Sequence, residues 1–242
     1  MEGFEKGEKN LLLGKALLVL GPGAILAGAL CLETRRFYLT SLMVILYGML
    51  LFAMRLERRK PRAREIAVLA VMVALGVAGR LAFFMLPQFK PCAAVIIITA
   101  VCLGGQAGFL TGAMTAFVSN LFMGQGPWTP WQMLCFGLIG LLAGALASRG
   151  LLSTKRIPLC VFGGLSVMVI YGGIMDPASL LLLGQAEITA GAVLTAWAAG
   201  LVPNLIHSAA TVFFLAALSQ PLIAKLSRVK KKYGLLEREQ PF

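Results

Sequence analysis

Long apolar segments fill most of this sequence and leave too little polar surface for a water-soluble fold. Of the 242 residues, 59% are hydrophobic and only 13% are charged, whereas soluble domains carry about 25% charged residues. A helix of about 20 apolar residues crosses the hydrocarbon core of a bilayer. The pattern therefore predicts an all-α polytopic membrane protein with eight spans, at residues 11–32, 37–54, 66–86, 91–103, 107–123, 131–148, 157–175 and 189–223.

A dense basic linker over residues 55–65 divides the chain. We expect a two-helix transmembrane hairpin and this linker at 1–60, a six-helix membrane core at 61–232, and a short cytoplasmic tail at 233–242. The segment 91–103 is the shortest of the predicted spans. A loop over 176–189 is expected before the last helix.

The basic residues predict the orientation of the chain. Seventeen of the 22 Lys and Arg residues lie in segments 1–10, 55–65, 149–156 and 225–242. Since cytoplasmic loops are enriched in Lys and Arg, both termini are expected in the cytoplasm of a bacterial cell, with the protein crossing the plasma membrane several times. The basic residues alternate with apolar segments and form no continuous basic face, which argues against nucleic-acid binding.

A polar and aromatic stretch, Gly-Gln-Gly-Pro-Trp-Thr-Pro-Trp-Gln at 124–132, separates two apolar segments on the predicted outer side. Thr129 is expected to cap a helix, and Gln132 to close a capping box with it. Tryptophans also occur at membrane interfaces as simple anchors. The alternative is a rigid aromatic platform for a ligand, formed by Trp128 and Trp131 with hydrogen-bonding groups from Gln125, Thr129 and Gln132.

Arg80 is a charged residue inside a predicted span, about two thirds of the way toward the outer side. A charge at that depth needs a partner, a cavity or a path to the interface. No Asp or Glu lies deep in a predicted span to pair with it. Arg80 therefore either extends to the outer interface or lines a ligand cavity.

Two polar residues in the last span, Asn204 and His207, lie on one helical face next to Pro203. Polar groups beside a broken helix form binding sites in transporters, and the alternative is an ordinary interhelical hydrogen bond. Asn120 either caps its own helix or reaches the same cavity. Asp176 and Glu187 are interpreted as solvated loop acids, and the alternative is that either of them closes over a ligand.

Small residues recur at helical spacing. Ala70, Ala74, Ala78 and Ala82 lie on one face of the first core helix, and such a face either packs within the subunit or docks another membrane protein. For the glycines at 104, 108 and 112 and at 140 and 144, packing within the subunit is favoured.

The sequence contains no phosphate-binding loop, no Gly-x-Ser-x-Gly, no His-Glu-x-x-His and no paired intramembrane carboxylates. We therefore expect no enzyme activity in this chain. With a single histidine, a His-rich metal site is excluded, and no cofactor or metal is expected.

The core resembles the substrate-binding S components of energy-coupling factor (ECF) vitamin importers over residues 60–232. The resemblance rests on the basic linker before an Ala-x-x-x-Ala helix, on Phe-Lys-Pro at 89–91, and on Ser-Asn at 119–120 leading into the stretch 124–132. It is greatest for the subgroup assigned to cobalamin. The two additional N-terminal helices depart from the six-helix pattern of the family.

The resemblance implies a subunit that binds a vitamin, such as a corrinoid, from outside, docks on a membrane coupling subunit driven by two ATPase subunits, and topples to release the vitamin inside. It implies docking through Ala63, Ala67, Ala70 and Ala74. It implies ligand contacts from Arg80, Phe83, Lys90, Asn120, Trp128, Thr129, Trp131 and Gln132, with Asn204 and His207 lining the cavity floor. An S component for another micronutrient, a membrane scaffold and a membrane enzyme are the alternatives.

Overall fold

The computed structural model describes residues 63–182 and 189–234, and these form helices joined by short connections. The elements are α1 (Ala63–Ala82), α2 (Cys92–Leu103), α3 (Gly105–Met123), α4 (Thr129–Ser148), α5 (Arg156–Ser166), a π-helical segment (Val167–Gly172), α6 (Gly173–Leu182) and α7 (Ala190–Tyr233). Within these ranges there is no strand, which confirms the all-α fold class. The predicted N-terminal hairpin and linker, Glu187 and nearly all of the predicted tail lie outside the described residues.

Four of the described helical units are long and apolar enough to cross a membrane: α1, α4, the continuous unit from α5 into α6, and α7. Together with α2 and α3, they make the six helices expected for the core. The unit from α5 to α6 extends farther than predicted, because Asp176 and Pro177 lie inside α6. The predicted loop over 176–189 is therefore wrong for residues 176–182.

Pro177 remains inside a helix because its missing hydrogen bond is replaced. A proline leaves the carbonyl four residues earlier without its usual donor, and here that carbonyl belongs to Gly173. The indole Nε1 of Trp197 on α7 donates to the Gly173 carbonyl at 3.4 Å. This contact ties α6 to α7 at the point where a helix end was expected.

The short helix α2 is the centre of the bundle. At 12 residues it extends about 18 Å, less than the hydrocarbon thickness. Residues 93–98 are all between 0% and 1% exposed, so neighbouring helices cover every side of α2. Its continuous apolar sequence follows from this position, because a helix enclosed all round has no polar face.

Glycines bring α3 and α4 into direct backbone contact. A Cβ atom on Gly112 would overlap the backbone of Phe136, and one on Gly140 would overlap the backbone of Gly108. Gly144 approaches Gly105 in the same way. Packing within the subunit, as favoured from the sequence, is confirmed for Gly108, Gly112, Gly140 and Gly144, whereas nothing lies within 4 Å of a Cβ atom on Gly104.

The opposite arrangement holds for the alanines of α1. All four predicted docking alanines (Ala63, Ala67, Ala70 and Ala74) are exposed. The face of α1 that packs on the described helices is formed instead by Met72, Gly76, Val77 and Arg80. Of the two interpretations of the alanine stripe, packing against the described helices is therefore ruled out.

Helix α7 is the longest element, at 44 residues or about 66 Å. It continues past the predicted end of the span at residue 223. Near its C-terminal end, the Lys230 ammonium donates to the carbonyl of Cys102 at 3.2 Å. Lys230 thereby binds one of the last carbonyls of α2, where a cation is favoured by the helix dipole.

The glycine contact between α3 and α4 predicts a sharp steric effect. Gly140→Ala would force the two backbones apart, and overpacking of this kind costs about 1–3 kcal/mol. We expect a clearly lower apparent Tm for the detergent-purified protein, followed by size-exclusion chromatography after heating. Gly173→Ala is the matched control, since nothing lies within 4 Å of a Cβ there; equal Tm values for both variants would contradict this packing.

Candidate polar site between the helices

Arg80 turns into the helix bundle. It lies in the last turn of α1, which ends at Ala82 rather than at residue 86, and it is 6% exposed. Its Nη1 donates to Ser119 Oγ at 2.5 Å and to Asn120 Oδ1 at 3.3 Å. The alternative in which Arg80 extends to the membrane interface is therefore wrong.

The surroundings of Arg80 bind its guanidinium without neutralising it. Both hydrogen-bond acceptors are uncharged, and the guanidinium carbon lies 5.9 Å from the ring centre of Phe136, within the range of a cation–π contact. Arg80 Nε is buried and has no hydrogen-bond partner in the described structure. A buried cation with a free donor favours an incoming acceptor or anion.

Asn120 connects α1 to α4 through its side chain. Its Oδ1 accepts from Arg80, and its Nδ2 donates to Thr129 Oγ1 and to Gln132 Oε1, both at 2.9 Å. Gln132 Nε2 in turn donates to the Tyr171 hydroxyl at 3.4 Å. Of the two roles considered for Asn120, the structure supports the one in which it reaches across to other helices.

The predicted capping box does not form. Helix α4 has Trp128 as its N-cap, with no side-chain cap bond. Thr129 Oγ1 accepts from the Gly126 amide at 3.3 Å and from Asn120. Because the Asn120 amide takes the oxygen of Gln132 as well, the two residues expected to close the cap are used for contacts between helices.

His207 lies next to Tyr171, where this hydrogen-bonded chain ends, in an aromatic enclosure. Its ring centre is 4.8 Å from that of Tyr171 and 5.9 Å from that of Phe136, both edge-on. His207 is 3% exposed, and neither ring nitrogen has a hydrogen-bond partner in the described structure. Its neighbour on the same helix face, Asn204, is also buried.

Asn204 makes the interhelical hydrogen bond that was considered as its alternative role. Its Nδ2 donates to Asp176 Oδ2 at 2.7 Å. Asp176 is half-buried in α6, so its interpretation as a solvated loop acid is wrong. The reason is the extension of α6 past Pro177, which keeps Asp176 against α7.

The remaining predicted residues lie around this polar chain. Phe83 contacts Phe214 with ring centres 5.1 Å apart, and Phe89 joins them at 6.1 and 5.5 Å. Lys90 donates to the Leu86 carbonyl at 3.0 Å. Partial burial, and then the positive charge of Arg80, lower the pKa of the Lys90 ammonium.

The residues of the predicted aromatic platform separate into different environments. Trp128 is 40% exposed and covers Gly126, while Trp131 is half-buried and its Nε1 has no partner in the described structure. Gln125 is exposed and donates to the Phe117 carbonyl at 3.0 Å. Gln125 thus bonds to α3 at the surface rather than to the polar chain.

Sequence reasoning missed Ser119, Tyr171 and Trp197 as contributors. Ser119 follows the spacing of Thr111 and Thr115 on α3, so a polar stripe was visible in the sequence. Tyr171 was visible only as a hydroxyl in an apolar segment, and no sequence signal indicated the π-helical segment that carries it. In the described ranges no three His, Cys, Asp or Glu residues cluster to hold a metal. The arrangement is suited to binding a polar molecule.

The central role of Asn120 can be tested without any ligand. Asn120→Leu preserves volume but removes the partners of Arg80, Thr129 and Gln132, and unsatisfied buried groups cost about 1–3 kcal/mol each. We expect a large fall in the apparent Tm of the detergent-purified protein. The control Gln125→Met removes an exposed amide and should change the free energy of unfolding by about 0.5 kcal/mol or less. A similar loss of stability in both variants would show that the network contributes nothing.

Comparison with known proteins identifies relatives of this chain. A family model described as the S component of the ECF-type riboflavin transporter matches residues 60–220, which is more than half of the chain. An UPF0397 protein of Vibrio atlanticus is 30% identical over 124 residues, covering 48% of this chain and 68% of the relative. An UPF0397 protein of Aliivibrio salmonicida is 33% identical over 105 residues, covering 41% of this chain and 55% of the relative.

No solved structure matches this chain. The cobalamin subgroup suggested by the resemblance is not supported by these matches, whereas the broader resemblance to S components is confirmed. The helical fold and the family agree on a multi-pass membrane protein, and the family is one of transporter components. The chain belongs to the family described as S components of ECF-type riboflavin transporters.

Proposed function

We propose that this chain is the substrate-binding subunit of an ECF-type importer for a vitamin with a flat heteroaromatic ring, of which riboflavin is the first candidate. The observation that carries the proposal is the buried polar chain that joins Arg80, Asn120, Gln132 and Tyr171 across four segments of the bundle. Buried polar groups in a membrane protein are costly and are retained where they serve a ligand or its pathway. The plasma membrane, with both termini in the cytoplasm, is the proposed location.

A flat ring is favoured over a corrinoid by two considerations. The family model that matches this chain is described for riboflavin. In addition, Arg80, Asn120, Thr129 and His207 are each less than 10% exposed, so the polar chain is closely enclosed by the helices. A small planar ligand between aromatic side chains requires less separation of these helices than a large corrinoid.

The proposed ligand contacts follow from the geometry. Arg80 offers its free Nε as a hydrogen-bond donor, and Trp131 offers its indole Nε1. Phe136 and Tyr171, with ring centres 5.0 Å apart, offer apolar faces to a conjugated ring. Thr129, Gln132 and Asn120 position these groups. Phe83, Lys90 and Trp128 lie at the rim, and Asn204 and His207 form the floor.

Transport requires energy that this chain is not expected to supply. We propose that it docks on the ECF coupling subunit, which works with two ATPase subunits, through the exposed alanine stripe of α1. Small side chains allow close helix contact in lipid, where association depends on packing. The stripe and the side of α1 that carries Arg80 face in different directions, so docking leaves the proposed ligand site uncovered.

Ligand identity is tested with the detergent-purified protein. We expect riboflavin to co-purify at near one molecule per chain, detected by mass spectrometry, and to quench tryptophan fluorescence on titration of the ligand-free protein. Trp131→Ala should weaken binding, because it removes an unpaired indole N–H next to Gln132. Leu201→Ala, at an exposed position on α7, is the control.

The possible outcomes of this experiment distinguish a wrong ligand assignment from a wrong function. Binding of cobalamin in place of riboflavin would overturn the flavin assignment and keep the importer function. If neither these two nor a panel of other vitamins bound, a scaffold role would explain the protein better.

Docking is tested by co-purification with the coupling subunit and the ATPases. Ala70→Trp and Ala74→Trp place bulk on the exposed stripe, so we expect the complex to be lost while ligand binding is retained. Val202→Trp places the same bulk at a position on α7 that is 64% exposed, and this control should retain the complex. Intact complexes from both alanine variants would exclude the stripe as the docking face.

A further inference from the structure

Asp176 provides a carboxylate between α6 and α7 that the sequence had placed in a loop. Its Oδ2 accepts a hydrogen bond from Asn204 Nδ2 at 2.7 Å, and this donor is a neutral amide. A carboxylate has about four acceptor positions, so one amide bond leaves most of them free for other donors.

The fold makes space for this carboxylate. A Cβ atom on Gly200 would overlap the Asp176 carboxyl group, and a Cβ atom on Gly172 would lie 2.5 Å from Asn204 Nδ2. Two glycines on neighbouring helices thus accommodate the Asp176–Asn204 pair. Any other residue at Gly200 would displace the acid.

The Asp176–Asn204 pair continues the polar chain of the candidate site. Asn204 and His207 are both buried and lie one turn apart on the same face of α7. His207 contacts Tyr171, which directly precedes the glycine packed against Asn204. Along this span, Asp176 lies about 7.5 Å beyond Tyr171, from the usual rise per residue.

The polar chain therefore has different chemistry at its two ends. At one end, the buried Arg80 has an unpartnered Nε, a hydrogen-bond donor. At the other end, Asp176 is an acceptor with spare capacity. Between them, His207 has two ring nitrogens with no partner among the described residues and is 3% exposed. Leaving such buried groups unpaired is unfavourable, which points to a ligand that completes them.

We propose that the ligand is recognised from its two ends: carbonyl oxygens of a flat ring bind at Arg80, and hydroxyl groups of an attached polyol chain donate to Asp176. This inference rests on the proposed function and names the parts of a flavin that each end would take. His207 lies between the two ends and binds the ligand where ring and chain join. Asp176 is then a specificity-determining residue for the hydroxylated chain.

The test compares riboflavin with lumiflavin, which has the same ring system but a methyl group in place of the ribityl chain. Affinities of the full-length, ligand-free protein are measured by flavin fluorescence. We expect the wild type to bind riboflavin at least about 10-fold more tightly, as expected for hydrogen bonds to a charged group. Asp176→Asn keeps the size of the side chain, and it should remove most of this preference while lumiflavin affinity stays within about twofold.

Each outcome decides the proposal. Equal affinities in the wild type, or an undiminished preference in Asp176→Asn, would overturn it and leave flavin import standing, with the Asp176–Asn204 pair serving only to hold α6 on α7. Failure of the wild type to bind either flavin would overturn the flavin assignment and this inference together. If Asp176→Asn does not purify in folded form, Gly200→Ala carries the same test, because a Cβ atom there would displace the Asp176 carboxyl group.

Discussion

The burial of the Arg80 guanidinium is the constraint on which the candidate site depends. A charge enclosed among membrane helices must find hydrogen-bond acceptors, and here it finds Ser119 and Asn120 on α3. Because the side-chain oxygen of Asn120 accepts a hydrogen bond from Arg80, the amide hydrogens of Asn120 point toward α4. This first hydrogen bond determines the direction of the later ones. Asn120 donates to Thr129 and Gln132, and Gln132 donates to Tyr171.

The close contact of α3 and α4 makes this chain of bonds possible. Glycines let the two backbones touch from Gly112 and Phe136 to Gly105 and Gly144, and this packing holds the helix pair at whose other end Asn120 reaches Thr129 and Gln132. Packing of the smallest residues thus positions the most polar ones, and the enclosed helix α2 supplies the apolar support behind them.

Much of the fold could be predicted from the sequence because lipid imposes a simple rule. Apolar segments of sufficient length become helices, so α1, α4 and α7 were placed with approximately correct starts. Arg80, Asn120, Thr129 and Gln132 were expected near one end of the bundle because the spans alternate in direction. Helical spacing identified the alanine stripe of α1 and the glycines of α3 and α4, but for the alanines the sequence left packing and docking open, and the structure shows that they are exposed.

What the sequence did not provide depends on contacts between distant residues. The capping box at Thr129 and Gln132 was locally reasonable, but the Asn120 amide, 9 and 12 residues earlier, competes for both oxygens. The predicted span ended at residue 175, but the helix continues through Pro177, where Trp197, 24 residues later than Gly173, donates to the carbonyl that the proline leaves free. Tyr171 lies in a π-helical segment, which changes by part of a turn the direction in which its side chains point. No residue pattern in the sequence indicates such a segment.

The two faces of α1 carry a thermodynamic consequence. One face bears the exposed alanines and the other bears Arg80, on a single rigid helix of 20 residues. If the alanine face is the docking face proposed above, any occupant of the polar site that shifts the position of α1 changes the affinity of this face for its partner. By linkage, the partner changes the affinity for the occupant by the same factor. A single helix can in this way couple ligand binding and partner binding in both directions, without a separate element between the two sites.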